Sequence, residues 1–265
     1  MNISIIGTGN LAWHLSQALE QAGYRIAEIY GRDVAKAIHL AGLLYSAEVK
    51  NDLDFSESNS QLFIIAVSDD AVLGVCAKML LPENAIVVHT SGAKYLSEMQ
   101  QAFQIHHDLP VNCGVFYPLM TFTKNRRIDF AHIPLCIEAA DEKTEAFLVK
   151  VGSAMSDAIY LISSEERRAL HVAAVFACNF TNHLWGLAKE IVESEDMEFD
   201  ILKPLISETF NKAILATHPA DVQTGPAVRG DQATVKKHLE YLADDDDLRK
   251  VYQTMTDSIR DWHGE

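Results

Sequence analysis

The first residues whose types and spacing could do chemistry are Gly7-Thr8-Gly9-Asn10-Leu11-Ala12, which fit G-x-G-x-x-A. They follow directly on a strand-like run, Asn2–Ile6, and open a segment in which Leu11, Leu15, Ala18, Leu19 and Ala22 recur at helical spacing. The order matters physically. The first glycine makes the tight turn, the second lets backbone approach a diphosphate, and the small Ala12 lets helix lie close to strand. A diphosphate there meets free amide groups and the positive helix end. Gly7, Thr8, Gly9, Asn10 and Leu11 are therefore the expected binding loop for a dinucleotide.

The end of the second strand chooses between cofactors. An acidic side chain there would hold the ribose hydroxyls of NAD, but the chain runs Ile29-Tyr30-Gly31-Arg32-Asp33. Arg32 lies where a 2′-phosphate would sit, so NADP is expected ahead of NAD. Asp33 either caps the next helix or reaches the ribose. Ala66-Val67-Ser68-Asp69-Asp70 follows another buried strand, placing Val67, Ser68 and Asp69 beside the cofactor. The alternative is that Asp69 or Asp70 only caps a helix beginning at Ala71.

Three further places could carry the reaction. His89-Thr90-Ser91-Gly92 follows a strand, and the Ser91 hydroxyl with the backbone at Gly92 could bind a carboxylate or polarise a carbonyl. Tyr117-Pro118-Leu119 ends the next strand in the same way; either segment could be a tight turn and nothing more. His171, Asn179, Asn182 and His183, spaced by eight, three and one, fall on one broad helical face amid Val172, Val175, Phe176 and Phe180. Such polar groups need partners, either a substrate or a neighbouring domain. A reductase needs a proton donor beside the hydride, and His171, with Asn179 near it and Asn182 toward substrate, could serve. In Thr224–Asp231, Gly225-Pro226 marks a turn and Asp231 can cap a helix, which leaves Arg229 as an anion receptor.

These residues need a frame to hold them. The strands predicted are Asn2–Ile6, Arg25–Tyr30, Leu62–Val67, Ala85–His89, Cys113–Phe116, Pro134–Glu138 and Ala158–Leu161, alternating with helical segments as a parallel sheet requires. Several are apolar throughout, as in strands buried on both faces. Gly23 is placed just past the first helix, and Pro82 ends the pattern Val72, Val75, Cys76, Met79. After Ile162 the character changes. Ser163 and Glu166 have capping-box spacing, and Asn179–Val192, Ile201–Leu215 and Val251–Trp262 read as helices with no strand among them. Asp244–Asp247 reads as a solvated turn or helix start. The expectation is an α/β Rossmann domain with a doubly wound parallel sheet over 1–162, then an all-α domain over 163–265.

Composition narrows the partners. Of 265 residues, 48% are apolar and 22% charged, and 37 acidic against 22 basic residues leave a net charge of −15. That charge repels nucleic acid and anionic membranes. Cys76, Cys113, Cys136 and Cys178 stand far apart with no metal-ligand spacing, and read as buried free thiols in a reducing compartment. No run approaches the ~18 apolar residues of a membrane span, and strand-forming sequence from Asn2 leaves no room for a leader, so a cytoplasmic protein is expected.

Taken together, Gly7–Ala12, Ala66–Asp70, His89–Gly92, Tyr117–Leu119, the His171–Asn179 helix and Thr224–Asp231 resemble the Rossmann-like NADP oxidoreductases that carry a C-terminal domain of unknown function. The likeness spans nearly the whole chain. That family is similar in fold to pyrroline-5-carboxylate reductase, the β-hydroxyacid dehydrogenases and the deazaflavin-dependent NADP reductases, with a helical part of the 6-phosphogluconate dehydrogenase C-terminal-like kind. The resemblance implies a homodimer built through the helical domain, with each active site between two domains. It supplies no substrate. In the family a histidine usually precedes the Pro-Leu of the turn; here Tyr117 stands there. The lysine that β-hydroxyacid dehydrogenases carry early in the long helix is missing too, since its only lysine is Lys189, which leaves His171 as the candidate donor. The expected function is hydride transfer between NADP(H) and a small anionic C=O, C=N or C–OH compound, bound by Ser91, Gly92, Tyr117, Asn182 and Arg229. The alternative is a non-catalytic dinucleotide sensor.

Overall fold

The apolar runs pair into one sheet of eight strands in the order β3-β2-β1-β4-β5-β6-β7-β8. The computed structural model describes residues 1–107 and 110–264. The strands are β1 (Asn2–Ile6), β2 (Arg25–Tyr30), β3 (Glu48–Lys50), β4 (Leu62–Ile65), β5 (Ile86–His89), β6 (Asn112–Pro118), β7 (Leu135–Ala139) and β8 (Ile159–Leu161). Between them lie α1 (Asn10–Gln21), α2 (Val34–Ala41), α3 (Asp69–Cys76), α4 (Leu96–His106) and α5 (Glu142–Ser153). Side chains alternate across β4: Leu62 and Ile64 join the core under α1 and α5, while Phe63 and Ile65 join the core under α3 and α4. A strand buried on both faces must be apolar at every position, which is why these runs are legible.

Three features differ from the expected sheet. β7 runs antiparallel to β6, with Pro118 opposite Leu135, so the segment joining them starts and ends at the carboxyl edge. A short connection along one edge can only return the chain in the opposite sense. β3 has no apolar run at all. Its Glu-Val-Lys forms a strand because β2 offers Glu28, Ile29 and Tyr30 as ladder partners, and as a short charged edge it discourages further pairing. α3 begins at Asp69, one residue past Ser68, so neither Asp69 nor Asp70 caps it. Both carboxylates lie in its first turn, where the helix dipole favours them.

The chain forms two compact units, Met1–Val175 and Phe176–Glu265. The division falls later than the change of character at Ile162, because α6 (Ser164–Ala174) stays with the sheet. Ser163 and Glu166 start α6 with a capping box. Ser164 Oγ then donates to both carboxylate oxygens of Glu138 at 2.9 Å, and Arg167 pairs with the same group. The second unit holds α7 (Thr181–Ser194), α8 (Lys203–Leu215), α9 (Gln232–Tyr241) and α10 (Asp246–His263). Asp231 caps α9 and Asp245 caps α10, so the acidic run is a helix start. Gly23 takes φ +86° past α1, as a helix-ending glycine does. Among the described residues no helix is long and apolar enough to cross a membrane. Cys76, Cys113 and Cys136 are buried free thiols, but Cys178 is exposed, contrary to expectation, because an apolar neighbourhood in sequence does not bury a helix face.

Candidate functional site

β1 sends its chain to β2 on one side while β4 pairs on its other side, so the order reverses beside the glycine loop. Ligands of open α/β sheets bind at such a switch point. Gly7 has φ +134°, and a Cβ there would stand 2.0 Å from the carbonyl oxygen of Ala66, so no other residue fits. Gly9 differs: nothing lies within 4 Å of where its Cβ would be, and its backbone faces open space at the N-terminus of α1. Ala12 is wholly buried between α1 and the sheet.

A cleft of about 920 Å³ opens there, lined by Gly7 to Leu11, Gly31, Arg32, Val67 and Ser68 among others. Its size, its bare amides and the absence of any acidic group in the first turn of α1 fit an extended dinucleotide. Asp33 caps α2, accepting from the Lys36 amide at 3.2 Å; that bond first, then the Lys36 ammonium, holds its carboxyl below the usual range. The cleft also takes in Lys36, Lys78 and Thr90, which the sequence reading passed over. Lys36 lies in the first turn of α2, three residues past the Asp33 cap, and its charge is its only local signal. Two expected residues have other partners. Asn10 lines the cleft, but its side chain also donates to the Phe122 carbonyl at 2.8 Å, which ties it to a distant segment. Asp69 is not part of the cleft lining; its charge acts on Tyr117 instead.

The second cluster lies at the carboxyl ends of β5 and β6. Tyr117 Oη is 3.1 Å from Nδ1 of His171, with the rings edge to face. Both sit on Gly92, where a Cβ would come within 2.5 Å of His171 Nδ1 and 2.9 Å of Tyr117 Cζ. Burial above all, then the charges at Cys136 and Asp69, pushes the Tyr117 phenol up to about 12. Where the phenol is the donor of this bond, the His171 ring carries its own proton on Nε2. Ser91 is buried and its Oγ accepts from the amides of Ala93 at 3.1 Å and Lys94 at 3.0 Å, so it builds the turn that exposes Gly92.

Beneath this cluster lie His89 and Arg167. His89 accepts from the Ser91 amide at 3.2 Å, and its buried Nε2 has no hydrogen-bond partner among the described residues. Burial, reinforced by the Arg167 and Lys94 charges, drives its pKa down to about 3. His89 is thus a neutral framework residue. Arg167 is fully buried, one helical turn before His171; it pairs with Glu138, donates to the carbonyl of Lys94, and reaches Ser164 Oγ at 3.2 Å. It ties α6 both to the sheet and to the Gly92 turn.

Asn179, Asn182, His183 and Arg229 belong to the second unit. Asn179 lies in a π-helical segment, Val175–Phe180, where Thr181 Oγ1 donates to the Phe176 carbonyl. A π turn adds residues to the ordinary helical repeat, so the expected face shared by His171 and the later asparagines cannot be counted across it. Asn182 borders a groove of about 510 Å³ with Trp185, Phe199 and Phe210. Arg229 is exposed, and among the described residues no carboxylate pairs with it.

Fold and cleft together define a protein of the Rossmann-like class with a helical C-terminal unit. Residues 133–259 match a family model described as a domain of unknown function, DUF2520. A protein from Bacteroides fragilis named a putative NADP oxidoreductase is 38% identical over 98% of each chain and superposes with a TM-score of 0.87. The chain belongs to this family. A reductive aminase from Aspergillus terreus, at 14% identity over 99% and 95% of the two chains, has a TM-score of 0.72. A 1-pyrroline-5-carboxylate reductase from Streptococcus pyogenes, at 11% identity over 98% of each, has 0.64. The last two share the fold. A search of curated proteins finds no match.

Proposed function

We propose that this protein is an NADP(H)-dependent reductase of a small C=O or C=N compound carrying an anionic group, with His171 as proton donor. The observation that carries the reading is the Tyr117–His171 pair seated on Gly92, in the same unit as the glycine-loop cleft. A reduced nicotinamide, when bound, supplies hydride to an electrophilic carbon. The chain's own residues do the rest. Backbone amides from Gly9 to Leu11 hold diphosphate, Arg32 with Lys36 holds the 2′-phosphate, and Tyr117 fixes the tautomer that leaves Nε2 of His171 to donate. Ser91 and Gly92 shape the floor under that donor. Asn182 and Arg229 are kept as candidate substrate ligands, with Asn179 as a candidate polar group beside the reaction.

The name of the Bacteroides fragilis relative supports the cofactor. A homodimer is supported by the helical unit's poverty of core: among the described residues from 176 onward the buried ones are Val192, Ala227, Val235, Leu242 and Thr256, while Phe176, Phe180, Ile201, Leu205, Phe210 and Ile214 are exposed. A helical unit with so little interior of its own needs a second copy to cover it. The three buried free thiols fit a reducing cytoplasm.

The test follows NADPH oxidation against a panel of cyclic imines, 2-oxo acids and ketone–amine mixtures, alongside NADPH titration by nicotinamide fluorescence. H171A is expected to keep NADPH affinity and lose turnover. Unchanged turnover would end the assignment of His171, and tight binding of NADPH with no turnover of any compound would favour the sensor.

A further inference from the structure

The segment joining β6 to β7 lies across the start of α1. The Phe122 carbonyl accepts from Asn10, the Thr123 carbonyl accepts from His14 Nε2 at 2.9 Å, and Lys124 Nζ donates to the Thr8 carbonyl at 3.3 Å. The segment is anchored from below, since Phe122 stacks on buried Phe130 with ring centroids 5.9 Å apart. The Lys124 ammonium also stands 4.6 Å from the ring centroid of Trp13 on α1.

Lys124 is half-buried, and among the described residues no carboxylate lies within 4.0 Å of it. One carbonyl and one ring face compensate a partly desolvated ammonium only in part. The glycine loop beside it has the opposite shortage. From Gly7 to Trp13 there is no charged side chain, and the chain as a whole is at −15. Arg32 and Lys36 follow β2, where NADP and NAD differ, and Lys36 is already 3.2 Å from Asp33. Lys124 is not among the residues that line the cleft, but it donates to the loop itself at the Thr8 carbonyl.

We propose that Lys124 is the counter-ion of the cofactor diphosphate, delivered to the glycine loop by the β6–β7 segment. Thr8 and Trp13 hold the ammonium in place until the anion arrives, and binding exchanges a carbonyl for phosphate oxygens. The proposal rests on the dinucleotide reading of the cleft.

The experiment titrates the full-length protein with NADPH and with NADH by nicotinamide fluorescence, at low and high salt. K124M is expected to bind both about tenfold more weakly and to lose part of the salt dependence, whereas K124R stays near wild type. K150M, on α5, is the unchanged control. A variant-free arm labels surface amines on wild type with and without NADPH, and Lys124 is expected to be protected. Equal affinity of K124M and wild type would overturn the proposal, as would equal labelling of Lys124. A loss confined to NADPH would move Lys124 to the 2′-phosphate and overturn the diphosphate assignment. Failure of wild type to bind either nucleotide is a different result, and it would sink the cleft's reading first.

Discussion

Replacing Gly92 with alanine perturbs the proposed proton donor while leaving the cofactor cleft untouched. The added Cβ would stand 2.5 Å from His171 Nδ1 and 2.9 Å from Tyr117 Cζ. Ordinary contact needs about 3.5 Å, so the imidazole must retreat by about 1 Å or the turn at Ser91 must deform. A retreat of that size breaks the 3.1 Å bond between Tyr117 and His171. Misplacing a catalytic group by about 1 Å costs roughly 10²-fold in rate, and overpacking a buried glycine costs about 1–3 kcal/mol of stability. G92A is therefore expected to lose roughly 10²-fold in kcat on the best substrate of the panel, with NADPH affinity within twofold of wild type. Melting should fall by only a few degrees, because a small ΔΔG is spread over the large unfolding entropy of a chain this long. Steady-state NADPH oxidation with parallel fluorescence titration gives both numbers. Turnover within twofold of wild type would refute the reasoning, since the clash would then have been absorbed without consequence for the donor.

Replacing Arg32 by alanine should weaken NADPH about tenfold or more and leave NADH unchanged, as read by the same titration; equal losses would remove Arg32 from the 2′-phosphate. His89 has a folded pKa depressed to about 3 against an ordinary 6.5, so the unfolded chain takes up the proton first. Stability from this residue is present in full above about pH 6.5 and drains away as pH falls toward 3; urea unfolding from pH 7 to pH 4 should show that slope, and H89F should flatten it. R167M would strand the Glu138 carboxylate beside a buried cavity and should cost about 3–5 kcal/mol in urea unfolding, with R167M/E138Q less damaged than the single change. Equal loss in both would mean that packing, and not the stranded charge, sets the cost.

Local features were legible because their physical signals are local. β1 and β2 fall where the apolar runs place them, Asp33 and Asp231 cap as their types predict, and the Gly7 turn needs glycine for reasons visible within a few residues. Asn10 lines the cleft as its type suggests, but its side-chain bond to the Phe122 carbonyl, 112 residues away, has no local signal. Lys36 and Lys78 carry no pattern of their own beyond charge, and become cleft residues only when α2 and α3 flank the switch point. Glu48–Lys50 reads as loop until β2 presents a ladder to it.

The amino-acid order by itself determined the alternation of strand and helix, the glycine loop, the caps and the change to an all-helical chain. Each of these is written in residue types a few positions apart, because hydrophobic period, backbone freedom and capping hydrogen bonds act over one or two turns. Tertiary structure decided the reversed direction of β7, the later division at Val175, and the meeting of Tyr117 with His171 across 54 residues on a glycine that leaves room for both. Those depend on how distant segments close upon the sheet. Closure is settled by which surfaces can be buried together, and no local spacing records it.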